Sequence, residues 1–315
     1  MKSPASLRLL GAVSLFTLVG AGPVGAETPA SSPATPATPA LPFDVLVTRE
    51  IQLWRKAKPD KEDMPVVPAG RVLSVFKLEP EQTFQGEKSP VAAVRPHAQS
   101  TYYTLLTPLR PLAPGEVMTD AEAAALLFQK APAANREWCQ RFTERMLLPA
   151  SAGAGKGGVI IYSASADDAC SGYLALGSGS GKAAKARAQP RRGALQSVNV
   201  REVAGSPPLM EVVEDVKAEG LSGWRRVLSS VERGAPKELL VVDEELHQLK
   251  GDTKQTVTGG VTMTPGADGL EVEVRRTEAQ VVLATGAEKA RTESVKRYRY
   301  AKGKLTAVTP PAATK

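Results

Sequence analysis

The sequence predicts a strand-rich α+β fold, its sheet mostly antiparallel, arranged as two subdomains. Three observations point there. Apolar and polar residues alternate near the start and near the end of the folded part, two stretches between them carry apolar residues at helical spacing, and a glycine-rich, basic run divides the chain near its middle.

Residues 1–26 have the three parts of a secretory signal. Lys2 and Arg8 open it, an apolar run follows from Leu9 to about Ala21, and small residues lead to Val24-Gly25-Ala26, with cleavage expected before Glu27. The apolar run is roughly 13 residues, short of the ~20 that a bilayer span requires. The protein is therefore expected to be exported, periplasmic or extracellular, and not integral to a membrane once the signal is removed. Residues 27–42 are rich in proline, alanine and threonine, with almost nothing to bury, and read as an extended spacer.

The first expected subdomain covers residues 43–176. Phe43, Val45, Val47, Ile51 and Leu53 sit at alternating positions of a half-buried strand, and 71–78 and 101–106 read as further strands. Thr119 or Asp120 caps a helix with Glu122 in its early turns, and Pro132 interrupts it. A second helix is expected to follow, with Trp138, Cys139, Phe142 and Met146 on one face and Glu137 spaced to pair with Arg141. Residues 158–163 and 172–176 read as a hairpin around a loop that holds Asp167, Asp168 and Cys170.

Residues 177–193 begin Gly-Ser-Gly-Ser-Gly and continue with Lys182, Lys185, Arg187, Arg191 and Arg192, without apolar periodicity. They are read as an exposed linker and as the contact site for an anionic surface or partner. The second subdomain, 194–308, opens with a helical pattern, since Leu221, Trp224, Val227, Leu228 and Val231 share a face and Gly234 suits a C-terminal cap. Strands are expected after it at 239–242, 270–274, 298–300 and 305–308, with turns at 265–269 and 302–304. Residues 309–315 are expected to be a disordered tail.

The chain has two cysteines, Cys139 and Cys170, and in an oxidising compartment a pair reads as one structural disulfide. Cys-x-x-Cys, the usual redox spacing, is absent. The two histidines, His97 and His247, are too far apart for a local metal motif. Gly-x-Ser-x-Gly and the phosphate-binding glycine loops are missing. Ser74-Val75-Phe76-Lys77 matches Ser-x-x-Lys, but a strand sends Ser74 and Lys77 to opposite faces. Asp167-Asp168 and Glu244-Glu245 are paired carboxylates that nothing in the sequence brings together. No cofactor is expected.

The net charge of +7 is mild and gives little reason to expect nucleic acid as a partner. Aromatics are 5% of the residues, too few for the girdles of an outer-membrane barrel. The expected function is accordingly a non-enzymatic binding or scaffold protein of the cell envelope. Two alternatives stand beside it. One is a carrier whose antiparallel sheet curls round a lipid-like ligand in an unfilled apolar interior. The other is a hydrolase in which His97, His247, Asp167 or Asp168 converge from distant positions.

Overall fold

Hairpin after hairpin, the chain folds as strands almost throughout in the computed structural model, which describes residues 40–58, 65–96, 100–129, 139–163, 173–191 and 193–308. Strands make up 63% and helix 7%, so the fold is nearly all-β and the expected α+β class is corrected.

The first sheet is built from β1 (Phe43–Val47), β4 (Arg71–Phe84), β5 (Glu87–Arg95), β6 (Tyr102–Leu105), β7 (Leu109–Pro111), β8 (Thr143–Leu147), β9 (Val159–Ser163), β10 (Tyr173–Ser178) and β11 (Lys185–Pro190). Its order is β11-β10-β9-β8-β4-β1-β7, with β5 also paired to β4, and β6 to β5. The short strands β2 (Ile51–Gln52) and β3 (Val66–Val67) pair with each other. Helix α1 (Asp120–Leu127) begins at the expected cap, where Thr119 and Glu122 form a reciprocal capping box.

The second sheet is a simple meander in chain order: β12 (Leu195–Arg201), β13 (Leu209–Ala218), β14 (Leu221–Glu232), β15 (Ala235–Lys250), β16 (Thr253–Gly266), β17 (Gly269–Val282), β18 (Glu288–Ala301) and β19 (Lys304–Ala307). It coils along its width, so that β19 returns to touch β15. Leu228, Val242, Leu270, Val272, Val274 and Tyr300 fill the inside of this coil.

Three layers meet at β8–β10. On one face Val159, Ile161 and Ala175 pack against Ala123, Leu127 and Phe128 at the α1 side. On the other, Met146, Ile160, Tyr162, Leu174 and Leu176 pack against Leu195, Val198, Met210, Val212, Val227 and Val231 of the second sheet. Covered on both faces, β9 buries all five of its side chains, which explains its unbroken apolar run. A separate core under β1, β4 and β5 holds Val45, Val47, Leu73, Val75, Ala92 and Val94. The described residues lie in a single compact unit that begins at Pro39.

One expected helix is a strand, and so is the end of another, whose residues Cys139 and Gln140 are helical. Residues 221–232 are β14, hydrogen-bonded to β13 and β15 along its length. Its neighbours Val227 and Leu228 point to opposite faces, Val227 toward the first sheet and Leu228 into the coil. Burial on both sides erases the period-2 signal, and the leftover apolar spacing imitates a helix. Residues 143–147 are β8, and its adjacent charges Glu144 and Arg145 likewise face opposite layers. Trp138 and Glu137 of the second expected helix lie outside the described residues, as do the signal, most of the spacer and the tail.

The stretch expected to be a linker is structured too. Gly177 and Ser178 end β10, and residues 185–190 form β11, paired antiparallel with it. The chain passes from one sheet to the other between Pro190 and Leu195, at the end of the expected linker.

Candidate functional site

The β10–β11 hairpin displays three of the five basic residues singled out by sequence, Lys182, Lys185 and Arg187. Its connecting turn is anchored to the start of α1. The Ser180 hydroxyl donates to the Gly115 carbonyl oxygen at 2.8 Å, and the Gly181 N–H donates to Glu122 Oε1 at 2.6 Å. Glu122 therefore serves both the helix cap and this turn. The Thr119 N–H, opposed by burial and helped by the Thr119 hydroxyl and the Gly181 N–H, holds its carboxyl below the usual range.

Lys182 follows in that turn, and Lys185 and Arg187 lie two residues apart on β11, on one face. All three are exposed and, among the described residues, make no ion pair. β11 is also the outer strand of its sheet. Cations at this edge stand clear of the carboxylates that neutralise arginines elsewhere.

Arg191 does something else. Its Nε donates to Glu214 Oε2 at 2.8 Å, and Arg225 Nε donates to Glu214 Oε1 at 2.8 Å. The Glu214 side chain is fully buried, so Arg191 ties the end of β11 to the second sheet and is removed from the contact surface. Arg192 and Cys170 lie outside the described residues, while Cys139 is buried in the core beneath α1. Of the residues offered for a hydrolase, His97, Asp167 and Asp168 also lie outside them. His247 sits on β15 with its Nε2 2.7 Å from Glu245 Oε1. Glu244 faces the other way, accepting from Arg226 Nε at 2.7 Å. Among the described residues, no three His, Cys, Asp or Glu side chains converge to hold a metal ion.

Compared with protein-family models, with curated proteins and with solved structures, the chain matches none.

Two charged clusters escaped the sequence reading. Beneath α1, the buried guanidinium of Arg145 donates to Asp44 Oδ2 at 2.7 Å and to the Met118 carbonyl oxygen at 2.6 Å. Its Nε lies 2.7 Å from Asp120 Oδ1, and the Ser74 hydroxyl donates to Asp44 Oδ1 at 2.6 Å. Ser74 is thus a hydrogen-bonding member of a structural cluster, with no lysine beside it. Burial raises the Asp44 carboxyl, but the hydrogen bonds and charge of Arg145 and the Ser74 hydroxyl outweigh it and hold the group below the usual range.

On the opposite face, Arg71 and Glu144 pair in contact, both almost fully buried, with the Arg71 guanidinium over the Tyr162 ring at 5.2 Å. They line a cleft of about 250 Å³ between the sheets, together with Tyr102, Tyr162, Gln196 and Asn199. Burial pushes the Glu144 carboxyl up to about 8 and the Arg71 guanidinium down to about 9. The signal for both clusters is the Glu144-Arg145 dipeptide, which as a strand must send its charges to opposite faces and find each a counter-charge.

Proposed function

We propose that the chain is an exported, non-enzymatic binding or scaffold protein of the cell envelope, which engages an anionic surface through the outer edge of its first sheet. The observation that supports this reading is the row Lys182, Lys185 and Arg187, exposed and unneutralised beside a turn pinned by Glu122. Cations held on a hydrogen-bonded hairpin attract anionic headgroups or polymers without large ordering costs. The carrier alternative calls for an apolar interior left unfilled. Leu228, Val242, Val272 and Tyr300 instead occupy the inside of the coiled sheet.

The test is co-sedimentation of the protein lacking residues 1–26 with vesicles of anionic or neutral phospholipid. Binding is expected to anionic vesicles alone, to fall steeply between about 0.05 and 0.5 M salt, and to weaken when Lys182, Lys185 and Arg187 are all replaced by glutamine. Binding indifferent to both salt and substitution would mean that these charges only guard the strand edge against aggregation.

A further inference from the structure

The other long edge belongs to β18. Along its inner side it pairs with β17 from Leu270 to Val281, but on its outer side β19 covers only Tyr298–Ala301. Residues 288–297 are all exposed, and among the described residues no strand pairs with the outer side of 288–296.

The backbone at this edge has a definite phase. The Val308 N–H donates to the Arg297 carbonyl oxygen at 2.8 Å, so Arg297 directs its backbone groups outward. Antiparallel strands alternate in this respect. The register with β17 runs unbroken from Tyr300 back to Ala290, so Val295, Glu293 and Arg291 also present their N–H and C=O groups to the open edge. The chain's own end is a poor occupant. Continuing β19 past Val308 would require the next inward N–H from residue 310, and Pro310 has none.

We propose that this edge docks a second copy of the chain, β18 against β18, antiparallel about a two-fold axis at Thr292. Charge complementarity selects both the partner and the register. With the axis at Thr292, Arg291 faces Glu293 of the partner subunit in both halves, and over the regular stretch 290–294 no like charges stand opposite each other. Arg291 and Glu293 then exchange backbone hydrogen bonds in both halves, while the two Thr292 side chains meet in a close pair without them. Outward-facing residues must pair with outward-facing ones, so the axis moves only by whole residues. At Arg291 it sets that arginine against itself, and at Glu293 it sets that glutamate against itself. Within each chain Arg291 Nη2 and Glu293 Oε1 already lie 2.8 Å apart, both more than half exposed, so the pair can re-form across the seam at little cost. The result is one continuous sheet in which charges that normally keep strand edges apart admit a single partner.

Sedimentation velocity of the protein lacking residues 1–26, over a range of concentrations at low salt, tests this directly. A concentration-dependent dimer is expected. Glu293→Pro removes an outward N–H without touching the β17 ladder and should leave a monomer with an unchanged circular dichroism spectrum. Arg291→Glu should weaken dimerisation by about tenfold or more, and the double exchange Arg291→Glu/Glu293→Arg should restore it. A monomer at every concentration overturns the proposal. So does a dimer indifferent to Glu293→Pro and Arg291→Glu, or an exchange that fails to restore association.

Discussion

Arg145 illustrates how a single buried charge is accommodated in this protein. Its side chain is fully buried, yet it meets two carboxylates and a backbone carbonyl, which together replace the water it loses. Removing it leaves Asp44 and Asp120 facing each other without a counter-charge. Arg145→Leu is expected to cost about 3 kcal/mol, toward the low end for such pairs because Asp120 is partly exposed, as read from the urea midpoint. The same cluster sets an acid limit. The folded-state Asp44 carboxyl titrates below its ordinary value of 3.8, so its contribution is present above that pH and is lost as pH falls through the folded value. Asp44→Asn should flatten stability against pH in this acid range, where the parent protein declines. Asp120, raised chiefly by burial, works in the opposite sense, so comparison with Asp44→Asn isolates the Asp44 share.

At the level of elements, what the sequence revealed depended on how many faces are covered. Thr119 and Glu122 announced α1 because a capping box is local chemistry. The alternation in β1 and β17 was legible because each strand has one better-covered face. β14 was not legible, since both of its faces are covered over Val227–Val231. Gly234 read as a helix cap for a related reason. Arg233 and Gly234 both have positive φ, as the two central residues of a tight hairpin turn between β14 and β15. A helix terminus and such a turn make the same backbone demand, and only the pairing partners tell them apart. Gly223 in β14 shows the demand most sharply. Its φ is +144°, and an added Cβ would lie 1.8 Å from the Glu245 carbonyl oxygen. Gly223→Ala should lower stability by about 2 kcal/mol or more. An unchanged urea midpoint would show that the β14–β15 ladder shifts at no cost.

At the scale of the molecule, the two large sheets and α1 build successive layers among the described residues, so that β8–β10 carry a core on each side. Cys139 lies in the outer of these cores, and a bridge to Cys170 would fasten the segment before β8 to the chain that precedes β10. We expect the exported protein to begin at Glu27 and to weigh two hydrogens less than its reduced form. Reduction should remove about 3 to 4 kcal/mol for a closed loop of about thirty residues. Two free thiols in the intact mass would sink that expectation. The sequence by itself determined the capped helix, the positions of about half of the strands, the turns at 265–269 and 302–304 and the basic row, because capping, alternation and glycine-dependent turns act over a few neighbouring residues. The tertiary structure decided the class of fold, the burial of Arg191 against Glu214, the partners of Glu144 and Arg145, and the open edge of β18. Each of these depends on which surface arrives from far along the chain to cover a strand, and local spacing carries no record of that arrival.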